Sequence, residues 1–220
     1  METTDGIVFD FFHPPSGEVY CRMSVDPQFC LAEIVFAEDT WLALGAHKRD
    51  WLIPHPLDQL LLVPGLALRG ACLFHACGAS INGRAAVFAG HSGDGKTTLA
   101  GLLSSEGAPL LSDERIAVRK TERGFVAFGT PWHGEGNVVS NASYPLAGMF
   151  VLRKAPHHAL GKTSPSLAAD LLARAIVPYY LPDIAARIFE VFSQLAREVP
   201  FRELHFALSP GLTSLLRDAA

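Results

Sequence analysis

The stretch that decides the fold runs from residue 85 to residue 118 and reads AAVFAGHSGDGKTTLAGLLSSEGAPLLSDERIAV. Within it, residues 90–97 (GHSGDGKT) fit the phosphate-loop pattern G-x-x-x-x-G-K-[ST] without a mismatch. The apolar run 85–89 before this loop predicts a buried strand, and residues 98–103 after it predict a helix. Such a loop requires this order of strand, glycine-rich turn and helix. The sequence therefore predicts a phosphate-binding site.

The residue types in this loop suit the chemistry of phosphate binding. Glycines let the backbone turn so that successive N–H groups point at phosphate oxygens. Lys96 supplies a positive charge for the β- and γ-phosphates, and the Thr97 hydroxyl can ligate Mg²⁺. The N-terminus of the following helix adds a partial positive charge. The predicted nucleotide-binding residues are Gly90, His91, Ser92, Gly93, Asp94, Gly95, Lys96, Thr97 and Thr98.

Two adjacent carboxylates, Asp113 and Glu114, follow this loop after one short helix. Residues 109–112 (PLLS) predict the end of a second strand, which we expect to lie beside the strand 85–89 in a parallel βαβ unit. Both acids should then emerge at the carboxyl end of the sheet, beside the phosphates. The alternative is an acidic pair in a solvated turn.

Residues from about 70 to 137 resemble the catalytic domain of HPr kinase/phosphorylase and its relatives, the HPr-kinase-related serine kinases. In that family a histidine on a strand precedes the phosphate loop, and an acidic pair follows the loop helix after a glycine. This chain has His75 in the run LFHA, a turn at residues 82–84 (NGR), then the loop, Gly107 and the acidic pair.

The chain departs from that family at two places. The family usually has two aspartates where this chain has Asp113 and Glu114. The later glycine-rich signature of the family is not clearly present, and residues 129–137 (GTPWHGEGN) occupy its approximate position.

The resemblance implies an α/β fold with a P-loop nucleotide-binding core of the HPr kinase/PEP carboxykinase-like type. This fold has a mixed sheet, flanking helices and a small N-terminal β-rich region. We expect residues 1–55 to form that β-rich region, packed on a kinase-like domain at 56–220 in one compact unit. The implied function is an ATP- and Mg²⁺-dependent serine kinase that transfers the γ-phosphoryl group to a protein or peptide hydroxyl. Homo-oligomeric assembly is also implied.

The predicted catalytic residues are Lys96, Asp113, Glu114 and His75. Glu114, at the second acidic position, would accept the proton of the incoming hydroxyl. Asp113 would assist Thr97 in holding Mg²⁺, directly or through water. The resemblance implies that His75 lies near the transferred phosphate. Without the resemblance, a histidine in an apolar strand is more often a core residue.

The loop 129–137 is the second informative region, because it holds Trp132, His133 and Glu135 among three glycines. Loops with glycine hinges and a few polar groups often carry binding sites. Glu135 would be a Mg²⁺ ligand or a supporting acid, which makes the predicted metal-binding set Thr97, Asp113 and Glu135. The alternative is a surface loop with an aromatic plug.

Three other functions remain open from the sequence. The chain could be a non-catalytic nucleotide-binding module that organises a partner surface, because its acidic pair is altered. It could be a small-molecule kinase, since acceptor specificity lies in variable loops. An ATPase or GTPase is disfavoured, because the chain has no N-K-x-D motif and the acids follow the loop too soon for many such enzymes.

Composition excludes several classes. With 49% hydrophobic and 18% charged residues among 220, intrinsic disorder is not expected. A net charge of -4 argues against broad binding of nucleic acid or anionic membranes. No signal-peptide or transmembrane segment is recognisable, which predicts a cytoplasmic protein. The four cysteines have no metal-ligand spacing and predict buried, reduced thiols: Cys21, Cys30, Cys72 and Cys77.

The remaining elements follow from hydrophobic patterns. We predict strands at 7–12 and 18–25, a hairpin of strands at 32–36 and 40–44, and a buried helix at 57–68 that breaks or begins near Pro64. Towards the C-terminus we predict strands at 115–120, 125–128 and 146–152, helices at 166–179, 183–196 and 211–217, and an edge strand at 199–206.

Overall fold

The computed structural model describes residues 2–3, 6–14, 16–43 and 56–217. The chain divides into two compact units, Met1–Leu68 and Arg69–Ala220. The helix at 57–68 therefore groups with the N-terminal strands, whereas the sequence suggested a boundary before it. Among the described residues, no helix has the length and apolar character needed to span a membrane.

The N-terminal unit holds a four-stranded antiparallel sheet in sequential order. Alternation within the third strand fixes which face is buried, because Cys21, Met23 and Val25 point inward while Arg22 points outward and pairs with Asp10 at 2.6 Å. The elements are β1 (Glu2–Thr3), β2 (Gly6–Phe12), β3 (Val19–Val25), β4 (Ala32–Phe36), α1 (Glu38–Ala43) and α2 (Leu57–Leu68).

The predicted strand at 40–44 is wrong. Residues 38–43 form α1, and Leu44 lies outside the described residues. Glu38 and Asp39 occupy the first turn, where negative charge interacts favourably with the helix dipole. The predicted break in the helix at 57–68 is also wrong, since α2 runs through Pro64.

The C-terminal unit is a mixed α/β structure built on an eight-stranded sheet in the order β11-β12-β10-β6-β5-β8-β9, with β7 paired to β5. The strands are β5 (Ala71–Ile81), β6 (Arg84–Ala89), β7 (Leu110–Ser112), β8 (Arg115–Thr121), β9 (Gly124–Phe128), β10 (Ser143–Lys154), β11 (Ala159–Leu160) and β12 (Phe201–Phe206). The helices are α3 (Lys96–Ser105), α4 (Pro165–Leu172), α5 (Pro182–Glu198) and α6 (Leu212–Arg217).

In each of the two long strands, β5 and β10, the two halves pair with different strands. Residues 71–75 of β5 pair with β8, and residues 76–81 pair with β6. Residues 143–145 of β10 pair with β9, whereas 146–151 run parallel to β6. The pairings of β6, β5, β8, β9 and β10 therefore close a circuit. The coarse fold prediction is confirmed: a mixed sheet with flanking helices and a separate small antiparallel sheet.

The predicted βαβ unit is wrong in its adjacency. The strand that follows α3 is β7, and it pairs antiparallel with β5, not with β6. The tight hairpin between β5 and β6 explains this, because it places β5 in the neighbouring position first. At its turn Asn82 and Gly83 both have positive φ (51° and 76°), as a two-residue hairpin requires.

Helices pack on both faces of the sheet. Leu99 and Leu103 of α3 are fully buried in a cluster with Cys77 of β5 and with Phe88, which stacks on Phe150 at 5.4 Å. On the other face, Phe192 of α5 lies 6.3 Å from Phe74. Successive strand residues point to opposite faces, so β5 is covered on both.

The C-terminal elements show two further differences from prediction. The helix predicted at 166–179 ends at Leu172, because the chain then runs along β5, where the Ile176 N–H donates to the Leu73 carbonyl at 2.8 Å. β12 is not an edge strand, since β11 pairs with its outer side. In the N-terminal unit, Cys30 is exposed and not buried.

Candidate functional site

The glycine-rich loop connects β6 to α3 and is held by its own backbone and side chains. Gly93 and Gly95 adopt positive φ (85° and 98°), a region that side chains rarely enter. A Cβ on Gly95 would also stand 2.8 Å from Cζ of Phe206. The Asp94 carboxylate accepts a hydrogen bond from the His91 N–H. Glycine is therefore needed here for both conformation and space.

Lys96 opens α3 and is only 7% exposed. Its ammonium donates to the carbonyls of Gly90 at 3.0 Å and His91 at 3.1 Å. The first helical bond, from the Leu99 N–H to the Gly95 carbonyl, is 2.8 Å long. A positive charge is thus fixed at the N-terminus of a helix, where N–H groups and the helix dipole also favour an anion.

The loop faces the two predicted acids across a cavity of about 480 Å³. A cavity of this size is within the range of small-ligand sites. Predicted residues Gly90, His91 and Asp94 do not line it, and they make hydrogen bonds within the loop and to Lys96. The lining residues are His75, Ser92, Gly93, Gly95, Lys96, Thr97, Thr98, Asp113, Glu114, Gly134, Glu135 and Lys154.

The acids reach this cavity by a route that differs from the expected one. β5 lies between β6 and β7 and is antiparallel to both, so β6 and β7 run in the same direction. Val87, Gly78 and Ser112 stand level across the three strands. The loop and the acids therefore emerge at one edge of the sheet, as predicted, although the strands are not neighbours.

Asp113 is 1% exposed, and its carboxylate is occupied by backbone donors. It accepts hydrogen bonds from the N–H groups of Gly134 (2.9 Å), Gly136 (2.7 Å) and Val138 (3.3 Å). These donors use both oxygens and three of about four lone-pair positions, so Asp113 holds residues 134–138 and has little capacity left to ligate a metal directly. The sequence signal for this role is the glycine on either side of Glu135.

Glu114 lies beside His75, with Oε2 at 3.5 Å from Nε2. Burial lowers the pKa of His75 below its ordinary value, and the charge of Lys96 lowers it further, while Glu114 opposes both. The imidazole is therefore neutral at pH 7, and a proton on Nε2 can donate to the carboxylate. This contact places the imidazole where it can orient the carboxylate of Glu114.

The charged lining is unbalanced. Lys96 and Lys154 face three carboxylates, Asp113, Glu114 and Glu135, which leaves one excess negative charge. An anionic ligand would need a cation to bind there. Thr97, Glu114 and Glu135 supply oxygen atoms of the kind that Mg²⁺ prefers. No group of three or more His, Cys, Asp or Glu side chains forms a metal cluster in the described ranges.

Two other polar residues have structural partners. The Arg115 guanidinium lies 5.0 Å from the centre of the Trp132 ring. His158, of the pair at 157–158, lies with Nε2 2.8 Å from the Ser209 carbonyl. His133 does not line the cavity, whereas Lys154 does.

No protein-family model matches the chain, and no curated protein matches it. Among solved structures, it is similar to the Hpr(Ser) kinase/phosphatase from Coxiella burnetii, with a TM-score of 0.39 and 15% sequence identity. That likeness covers 66% of this chain and 94% of the other. At this distance the family membership of the chain stays a prediction.

Proposed function

We propose that this protein is an ATP-dependent serine kinase that transfers the γ-phosphoryl group to a hydroxyl of a protein or peptide. The observation that carries the proposal is one cavity lined both by the phosphate-loop residues around Lys96 and by the carboxylates Glu114 and Glu135. Phosphoryl transfer depends mainly on positioning and charge neutralisation, and these groups are of the types that supply both.

The loop and Lys96 would bind the β- and γ-phosphates, and Thr97 would ligate Mg²⁺. Glu135 is the second candidate ligand, because Asp113 is occupied by backbone donors. Bound Mg²⁺ would neutralise phosphate charge and offset the negative excess of the lining. We therefore propose that Asp113 acts by holding the loop that carries Glu135.

Glu114 would act as the general base. The acceptor hydroxyl oxygen forms a bond to the γ-phosphorus, the bond from that phosphorus to the β–γ bridging oxygen breaks, and ADP leaves. Glu114 takes the hydroxyl proton. The neutral His75, with Nε2 3.5 Å from Oε2 of Glu114, would orient that carboxylate.

A non-catalytic nucleotide-binding module is the second candidate. The specific observation in its favour is that backbone donors use both oxygens of Asp113, which leaves Glu114 as the acid of the pair whose carboxylate accepts no backbone hydrogen bond from the described residues. Such a module would keep Lys96 and Thr97 and would bind nucleotide without transfer.

The test is an incubation of the purified protein with Mg²⁺ and γ-labelled ATP, alone and with a pool of small proteins and serine-containing peptides from its source. We expect label on a serine hydroxyl, located by mass spectrometry. Lys96→Ala should abolish labelling, and Lys162→Ala, at an exposed lysine outside the cavity, should not.

Binding of ATP without transfer or hydrolysis would favour the non-catalytic module. Failure of the wild-type protein to bind any nucleotide, measured by calorimetry with Mg²⁺ present, would contradict both candidates. Full activity of Lys96→Ala would contradict the assignment of the phosphate loop.

A further inference from the structure

Lys154 is the last residue of β10 and contributes its side chain to the cavity wall. In β10, Val151 pairs with Ala89, the last residue of β6 before the glycine-rich loop. The two strands are parallel, so Lys154 lies three residues further in the direction in which the loop leaves the sheet. At about 3.3 Å per residue, that is about 10 Å beyond the strand end. The lysine therefore flanks the loop.

The neighbouring cation differs from Lys154 in its partners. Arg153 points to the other side of the strand, where it pairs with Asp170 at 3.0 Å and with Glu203 at 3.1 Å. Lys154 has no ion pair or side-chain hydrogen bond with any residue that the structure describes. Its charge is thus not compensated locally, in contrast to that of Arg153.

The two lysines of the lining are also not equivalent. Lys96 is nearly buried and donates to two loop carbonyls, so its position is fixed close to the loop. Lys154 is exposed and stands on a different strand. A flexible four-carbon stem lets its ammonium adjust to a ligand in the cavity.

We propose that Lys154 contacts the terminal phosphoryl group of a bound nucleoside triphosphate. This proposal rests on the proposed nucleotide-binding function. For transfer to occur, the terminal phosphoryl group must lie between the loop and Glu114, and Lys154 lines that same space. The loop N–H groups and Lys96 would bind the β- and γ-phosphates from the loop side, and Lys154 would add a second cation at the terminal group. Removal of Lys154 would leave Lys96 alone against three carboxylates.

The experiment is a calorimetric titration with ATP, ADP and AMP in the presence of Mg²⁺. The proteins compared are the wild type, Lys154→Ala, Lys154→Arg and the control Lys162→Ala. We expect Lys154→Ala to weaken ATP binding about tenfold or more, as the loss of a charge-assisted hydrogen bond does, and ADP binding less than twofold. Lys154→Arg should restore most of the ATP affinity, and Lys162→Ala should bind as the wild type does.

An unchanged ATP affinity in Lys154→Ala, or an equal loss for ATP and ADP, would overturn the proposal while leaving the nucleotide site intact. A wild-type protein that binds none of the three nucleotides would overturn the proposed function together with it. Thermal unfolding of each variant shows that the exposed substitution has not altered the fold.

Discussion

Asp113 and Gly136 are joined by a hydrogen bond of 2.7 Å from the glycine N–H to the carboxylate Oδ2. A Cβ at Gly136 would stand 2.6 Å from the same oxygen, closer than a carbon atom can approach. The contact between the acidic strand end and the loop above it thus depends on the absence of a side chain.

We predict that Gly136→Ala separates this loop from Asp113 and lowers the free energy of unfolding by about 1–3 kcal/mol, as overpacking does. The matched control is Gly101→Ala in α3, where a Cβ meets no atom within 4 Å. Alanine should stabilise that helix by about 0.5–1 kcal/mol. Urea unfolding measures both, and equal effects of the two substitutions would contradict the prediction.

Glu114→Gln should separate binding from chemistry. The amide has nearly the shape of the carboxylate but cannot accept the hydroxyl proton, so we expect phosphoryl transfer to fall about 10²–10⁴-fold, the usual range for a general base. ATP affinity should change little. Calorimetry and a single-turnover transfer assay measure the two quantities. If transfer survives at the wild-type rate, Glu114 is not the base.

The acid sensitivity of His75 gives a third prediction. Its pKa is lowered in the folded protein by burial and by the charge of Lys96. As the pH falls from about 6.5, the unfolded chain binds the proton more readily than the folded one, so stability decreases. NMR titration of the imidazole should give a midpoint below the ordinary value. A midpoint at or above 6.5 would be inconsistent with this environment.

Glu106 links the end of α3 to the start of α6. Its carboxylate accepts hydrogen bonds from the N–H groups of Gly211 (2.8 Å), Leu212 (3.2 Å) and Thr213 (2.7 Å). Burial opposes its ionisation, but the hydrogen bonds from Thr213 and the other N–H groups outweigh this and lower its pKa to about 2.

Since this folded-state pKa is below the unfolded one, the stabilisation by Glu106 is present above about pH 4.5 and is lost as the pH falls towards 2. We predict that Glu106→Gln costs about 1–2 kcal/mol at pH 7, less than the full linkage value because the group is partly solvated. The difference between variant and wild type should shrink at pH 3. Urea unfolding at both pH values tests this, and a pH-independent difference would contradict the role of the charge.

Local patterns in the sequence predicted much of this fold. The run at 85–89, the Asn82-Gly83 turn and the amphipathic helix near 183–196 all formed as expected, because each is determined by neighbouring residues. The pairing of β7 with β5 was not predictable in the same way. It depends on whether β5 or β7 pairs with β6, and β5 and β7 are far apart in the sequence, so local patterns do not decide between them.

The site shows the same division. The loop pattern predicted that Lys96 and the loop glycines lie at a phosphate-binding site, and the resemblance pointed to His75 and Glu114. Neither predicted that the backbone N–H groups of residues 134, 136 and 138 donate to Asp113. In a sequence, a carboxylate at a strand end that binds a metal cannot be told from one that accepts backbone hydrogen bonds. Nor did either predict that Lys154 and not Arg153 would face the cavity.

The position of β5 between β6 and β7 has a consequence for the reach of the acids. Val87, Gly78 and Ser112 are level, so two backbone ladders separate the loop strand from the acid strand by about 10 Å, twice the usual spacing of strands. This distance is fixed by the backbone hydrogen bonds of the two strand pairings, so it does not change when a side chain is shortened. An aspartate in place of Glu114 would therefore hold its carboxylate about one methylene further back from the loop side of the cavity.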